Sequence, residues 1–310
     1  MSGPITPPPL RNDCFALPAG VHWTPVDEAL ALLRERLTPV TGRETVPVSR
    51  AMGRVLADDV VAPRANPPLP NTAVDGYGFA GGRPEGPHVL VLLDERAAAG
   101  PRLTTVVPEG QAVRILTGAA LPAGVDTVVL QEDVTVADGQ IAFNGPIKTG
   151  ANTRRAGEDV RKGDVILTAG RRVTAADMAI LAATGADQVN VRVPLRVAVI
   201  STGDELVEAG QSAKQDQIYD ANRPMLLSMI TAMGHVPVDM GRCADDRAVL
   251  SRILDDATSN ADVVITSGGA SAGDEDHVSS LMTEAGAMQM WRIAIKPGRP
   301  LALGLWSNTP

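Results

Sequence analysis

Cysteine is almost missing from this chain: Cys14 and Cys243 stand alone in 310 residues. Two thiols so far apart build neither a disulfide framework nor a zinc cluster, and His22, His88, His235 and His277 have no ligand spacing. Reduced thiols are the expectation. Basic residues are also in deficit, with 28 Lys and Arg against 36 Asp and Glu, a formal charge of −8. A broad nucleic-acid or membrane surface needs a positive footprint, so such partners are disfavoured, and any anionic ligand has to meet a local cation or a cluster of backbone donors. No apolar run approaches 18 residues, and the N-terminus has no basic segment leading into a long apolar core. The sequence therefore predicts a soluble, cytoplasmic protein that spans no membrane.

What is present is enough apolar material for a large core. The chain is 44% hydrophobic, and its length favours two or three domains. Residues 1–20, with Pro7-Pro8-Pro9, read as a flexible or extended leader. A helix is predicted from Val26 through Leu33, with Thr24 as its cap and Pro25 at its first position. A β-rich stretch then begins at Val46–Ala51, within a mixed α/β segment over residues 21–60. After the Pro63-to-Pro70 cluster, short branched runs at Val89–Leu93, Ala112–Leu116, Thr127–Leu130 and Gly139–Phe143 are punctuated by Gly and Pro, which predicts a β-rich insertion over 61–150. Residues 151–190 return to the architecture that preceded the insertion, a discontinuous mixed α/β linker domain, with a helix over Ala175–Thr184 capped by Thr174 and stopped by Gly185.

From residue 191 the pattern changes. Short buried strands at Leu195–Ile200 and Val263–Thr266 alternate with helical segments at Arg223–Met233, Arg247–Thr258 and Val278–Ala285. This βα repetition predicts a mostly parallel sheet covered on both faces, with ligands bound outside the strands' carboxyl ends. The overall fold class is thus multidomain α/β and β.

Two Gly-bounded acidic turns fall at those strand ends. The first is Ser201-Thr202-Gly203-Asp204-Glu205; the second runs Ser267-Gly268-Gly269-Ala270-Ser271-Ala272-Gly273-Asp274-Glu275-Asp276. Glycine lets an anion approach backbone N–H groups, hydroxyls extend the donor surface, and carboxylates suit a hard ion such as Mg²⁺. One such turn is explained as well by a strand-to-helix cap. Two at equivalent ends favour a shared phosphate-and-metal site, although neither matches a P-loop or a dinucleotide fingerprint. Lys296-Pro297-Gly298-Arg299-Pro300 delivers cations beyond another candidate strand, with a solvated loop as the competing account. Asp220, Asn222 and Arg223, like Asp245-Asp246-Arg247, read equally as site residues or as helix caps. Asn71–Phe79, Arg114–Gly118 and Arg154–Asp159 are further candidate turns in which ordinary turn chemistry or a solvated charge run competes.

Taken in order, Asn71-Thr72-Ala73-Val74-Asp75-Gly76-Tyr77, Arg114-Ile115-Leu116-Thr117-Gly118, Arg155-Ala156-Gly157-Glu158-Asp159, the Ser201 turn, Ser267-Gly268-Gly269 with Gly273 and Asp276, and Lys296–Pro300 resemble the MoeA family of molybdopterin molybdenumtransferases, related to the E domain of gephyrin. The resemblance spans nearly the whole chain. It implies a molybdopterin-binding α/β domain over 191–310, preceded by the linker domain and its insertion. The implied activity is insertion of molybdate into adenylylated molybdopterin, with release of AMP and formation of molybdenum cofactor, assisted by Mg²⁺. By the same resemblance Asp75, Thr117, Asp159, Glu205 and Asp276 are the catalytic positions, with Glu205 and Asp276 at the metal. Ser201, Thr202, Gly203, Asp245, Ser267, Gly268, Gly269, Ser271, Gly273 and Lys296 are the ligand-binding positions. An elongated homodimer is implied, with the cleft between the α/β domain of one chain and the insertion of the other, and with a molybdopterin adenylyltransferase and molybdoenzymes as further partners. Molybdopterin supplies the soft sulfur ligands, which is consistent with the lack of a cysteine cluster.

Two features depart from the family pattern. The sequence stops at Pro310, where the family continues into a small C-terminal β domain, which is therefore expected to be absent. Arg292 and Arg299 stand where lysine is common. Molybdopterin adenylylation and a gephyrin-like scaffold without turnover are the alternative readings; the long segment before residue 195 disfavours the first.

Overall fold

The computed structural model describes residues 24–269, 277–285, 288–293 and 300–310. The chain divides into two compact units, one formed by Arg43–Arg192 and the other by the described parts of Met1–Gly42 and Val193–Pro310.

In the first unit, Arg43–Pro47 runs antiparallel to Gln188–Arg192, so the two ends of the unit are hydrogen-bonded to each other. Val46, Leu56, Val173, Leu181, Val189 and Val191 form a core beneath them. The helix Ala175–Ala183 packs onto this core. Thr174 caps it, its hydroxyl accepting from the Asp177 N–H while its own N–H donates to the Asp177 carboxylate, and Gly185 ends it at φ +80°. Between these ends lies a curled six-stranded mixed sheet in the order Thr127–Leu130, Gly76–Phe79, Gln111–Ile115, Arg83–Ala97, Gln140–Ile147, Thr135–Ala137. Its pairs are antiparallel except Arg83–Ala97 with Gln111–Ile115. Phe79 and Phe143 stack in its core with ring centroids 5.4 Å apart.

The second unit is built on a parallel sheet in which Arg196–Thr202 lies between Val236–Cys243 and Val263–Ser267. The central strand is buried from Val197 onward because both of its faces are covered. Ala198 and Ile200 meet the helices Arg247–Asn260 and His277–Glu284 through Leu250, Leu254, Val278 and Leu281. Val197 and Val199 face the other way, onto Leu226, Leu227 and Ile230 of the helix Asn222–Ala232. The near-continuous apolar run of the central strand follows from this double coverage. Met288–Arg292 and Pro300–Gly304 add an antiparallel pair.

Two local expectations are revised. The helix Val26–Arg36 begins one residue later than the Pro-first reading, because the Pro25 carbonyl accepts the first helical bond from Ala29 at 3.0 Å and Pro25 itself occupies the cap position. Thr24 does not cap this helix; it is extended and bridges Ile293. The strand Val236–Cys243 has no counterpart among the strands read from the sequence, since Pro237 and Gly241 break its apolar run. Proline is tolerated there because this strand lies at an edge of the described sheet.

Candidate functional site

Parallel pairing sets three strand ends along one edge. The central strand runs into Gly203-Asp204-Glu205, its neighbour runs from Cys243 into Asp245, and the third runs from Ser267 into Gly268-Gly269. The turns are bonded to one another. Asp204 N–H donates to Asp245 Oδ2 and Asp245 N–H to Asp204 Oδ1, both at 3.3 Å. Gly268 packs against Thr202, where a Cβ would lie 2.5 Å from Oγ1 and 2.6 Å from the carbonyl oxygen. Gly269 accepts from the Ser279 N–H at 3.2 Å and from its hydroxyl at 3.1 Å, and Asn222 Nδ2 donates to Ser267 Oγ at 2.9 Å. The edge is therefore a bonded assembly of backbone and carboxylates.

Exposure sorts the residues. Ser201 is fully buried and Thr202 is 8% exposed. They are core hydroxyls under the turn, while Asp204, Glu205 and Asp245 are on its surface. Glu205 folds back over Gly203, whose φ is +143°; its carboxylate makes no hydrogen bond or ion pair among the described residues. Asp246 caps the following helix through a 2.8 Å bond from the Val249 N–H. Capping thus accounts for Asp246 and leaves Asp245 to the turn.

Arg223 closes the base of this edge. Its guanidinium donates to both oxygens of Asp239 at 2.8 and 2.9 Å, to Glu208 at 2.6 Å and to Asp220 at 3.3 Å. Burial acts to raise the Asp220 carboxyl, but the Arg223 N–H, the Ser201 hydroxyl and the Arg223 guanidinium together outweigh it and hold the group below its ordinary value. Leu206–Val207 and Ile218–Tyr219 pair above this network.

In the other unit, Asp75 and Thr117 meet. The Thr117 N–H and hydroxyl both donate to Asp75 Oδ1 at 2.6 Å. These bonds, the hydroxyl's first, hold the Asp75 carboxyl below its ordinary value, and Arg114 acts in the same direction. Asp159 is paired with Arg154 and faces Asn66 Nδ2 at 3.5 Å. Arg154 also bonds Glu158 at 3.0 Å, so the Arg154–Asp159 segment is a closed ion-pair turn. Ser271, Gly273, Asp276 and Lys296 lie outside the described residues.

The donor set can be tested against Mg²⁺. Among the described residues no three His, Cys, Asp or Glu side chains are placed to hold a metal ion together. Mg²⁺ is nevertheless commonly held by one or two carboxylates together with substrate phosphates, and Glu205 is an uncommitted hard-oxygen donor at a glycine turn. The chemistry fits; a complete set of protein ligands is not contained in the described residues. No helix among those residues is long and apolar enough to cross a membrane.

Asp204 belongs to the acidic turn read from the sequence, but its lock onto Asp245 across 41 residues does not show there; nor does Arg242, which donates to the carbonyls of Gly203 at 3.1 Å and Leu206 at 3.0 Å. A cation at the end of a third parallel strand would have been the signal for Arg242, had that strand been recognised.

A β-rich unit over Arg43–Arg192 accompanies a parallel α/β unit with an acidic, glycine-lined edge, and the chain matches two models of molybdopterin-related families. Residues 24–185 match the model of the MoeA N-terminal region (domain I and II), and residues 198–309 match that of a probable molybdopterin binding domain. The chain is 37% identical over 284 residues to a molybdopterin molybdenumtransferase of Haemophilus influenzae, covering 91% of this chain and 70% of that one. It is 35% identical over 277 residues to molybdopterin molybdenumtransferase 2 of Mycobacterium tuberculosis, covering 86% and 68%. A crystal structure of the molybdopterin biosynthesis MoeA protein from Pyrococcus horikoshii superposes with a TM-score of 0.74 at 31% identity, covering 91% of this chain and 72% of that one. The chain belongs to the MoeA family of molybdopterin molybdenumtransferases.

Proposed function

We propose that this chain transfers molybdenum from molybdate into adenylylated molybdopterin, releasing AMP and forming molybdenum cofactor. The observation that carries the reading is the convergence of Gly203-Asp204-Glu205, Asp245 and Ser267-Gly268-Gly269 at one edge of a parallel sheet, in a chain of this family. Backbone N–H groups of the Gly268-Gly269 turn are the proposed phosphate donors, and Ser267 and Lys296 add donors and charge. Glu205 and Asp276 are the proposed holders of Mg²⁺, which supplies neutralisation of the adenylyl phosphate when bound. Asp75, whose carboxyl Thr117 holds below its ordinary value, and Asp159, ion-paired with Arg154, are acceptors suited to orienting the donor groups of a substrate. These two belong to the insertion and linker regions; in the proposed homodimer they serve the α/β unit of the partner chain.

The test is incubation of the purified protein with adenylylated molybdopterin, Mg²⁺ and molybdate, with AMP and cofactor measured together. Equal yields of both support the reading. Formation of adenylylated molybdopterin from ATP would replace it with adenylyl transfer, and ligand binding without either product would replace it with a scaffold.

A further inference from the structure

We propose that Arg242 is a positioning residue that fixes the Gly203–Leu206 turn and so sets where the Glu205 carboxylate stands; the catalytic consequence rests on the function proposed above.

The strand carrying Arg242 does not pair evenly with the central strand. Val199 is opposite Asp239, but Ser201 is opposite Arg242, so Val236–Cys243 contains one extra residue at this point. Gly241, at φ +75°, absorbs it. Because side chains alternate along a strand, a one-residue shift moves every later side chain to the opposite face. The irregularity thus decides where Arg242 is directed. Its Nη1 donates to the carbonyls of Gly203 at 3.1 Å and Leu206 at 3.0 Å, with that of Asp204 at 3.4 Å. Those carbonyls belong to one tight turn, and gathering their dipoles on one side is unfavourable without a donor among them. Their convergence on one guanidinium leaves the Glu205 side chain on Gly203 and the Asp204 N–H on Asp245.

Charge points the same way. The Cys243 thiol is pushed up by burial and then by Asp245 and Asp246, with a smaller contribution from Asp204; Arg242 opposes them. The guanidinium therefore acts on the same thiol as Asp245 and Asp204 and is bonded to the backbone of the turn. A lysine supplies the charge without the planar fork, and glutamine supplies two donors without the charge.

The experiment compares wild type, Arg242→Gln and Arg242→Lys by amide hydrogen exchange and by the molybdate-insertion assay. In R242Q, exchange of the Leu206 and Ile218 amides, which bond Gly203 and Glu205 carbonyls, is expected to accelerate about 10-fold or more while the Val197–Ile200 amides keep their protection. The kcat is expected to fall about 10-fold or more with KM within about threefold, and R242K is expected to recover part of it. Wild-type kcat in R242Q overturns the proposal, as does unchanged exchange at Leu206 and Ile218. An inactive wild type together with faster exchange in R242Q sinks the proposed function and leaves the clamp standing. Should R242Q not fold, R242K decides alone: faster turn exchange with reduced kcat supports the proposal, and wild-type values in both defeat it.

Discussion

Gly268 lies so close to Thr202 that the two strand-end turns share one packing contact, with a hypothetical Cβ at Gly268 only 2.6 Å from the Thr202 carbonyl oxygen. Backbone cannot withdraw as a flexible side chain would, and Gly268 is also at φ +103°. Gly268→Ala is expected to destabilise the α/β unit by about 2–4 kcal/mol, combining close contact with backbone strain. Urea unfolding followed by a probe in that unit measures it; a change below about 0.5 kcal/mol would show that the turns are not tied at this point.

Arg223→Met should be among the more damaging single changes in the α/β unit. It leaves Asp220, 7% exposed, without its cation, and frees Glu208 and Asp239 to repel each other. Loss of one partner from a buried pair costs about 3–5 kcal/mol; half-exposed Glu208 and Asp239 are screened by water, so about 2–4 kcal/mol is expected here. Denaturation midpoints with and without 1 M salt check this. A stability equal to wild type would mean that the network carries no load.

The Asp75–Thr117 pair makes a prediction about ionisation. Thr117→Val removes the hydroxyl bond that contributes most to holding the Asp75 carboxyl low. The group should titrate at higher pH in the variant, as read from the Asp75 side-chain carboxyl signal in an NMR titration. An unmoved titration would mean that the Thr117 hydroxyl is directed elsewhere in solution.

Acid sensitivity is expected at the helix Ala175–Ala183. Asp177, 4% exposed, has its carboxyl lowered from 3.8 to about 2, chiefly by Arg171 at 2.9 Å and then by Thr174, against the opposing effect of burial. A group depressed on folding adds stability that is complete above its unfolded value and lost as pH falls from 3.8 toward 2. Because Arg171 is half exposed, the contribution is about 1–2 kcal/mol rather than the full shift. Asp177→Asn should lose that amount at neutral pH and show a flatter decline in acid. An identical acid profile in the variant would refute the assignment.

Glu205→Gln should keep the fold, since its carboxylate has no partner among the described residues. If it holds Mg²⁺, the concentration needed for half-maximal insertion activity rises about 10-fold or more. An unchanged Mg²⁺ requirement removes Glu205 from the metal.

Much of this was legible because local patterns and tertiary demands agreed. The apolar run at Leu195–Ile200 and the caps at Thr174 and Gly185 carry their structural meaning in adjacent residues. The strand Val236–Cys243 does not, since Pro237 and Gly241 contradict it locally and only pairing with the central strand makes it extended. Its misreading also hid Arg242. Likewise Asp245 and Asp246 are indistinguishable in sequence, and their division into turn lock and helix cap depends on where Asp204 arrives from a distant strand. Family resemblance implies Asp75 and Thr117 as catalytic positions, whereas their contact, two bonds to a single oxygen, depends on how the strands on either side are registered.

The parallel pairing of Leu206–Val207 with Ile218–Tyr219, fastened below by Arg223, has a consequence for divergence. The excursion between those anchors begins and ends at fixed points, and doubling such a loop adds only about 0.6 kcal/mol of closure entropy. Residues 209–217 can therefore gain or lose length while the acidic turn before them stays in place.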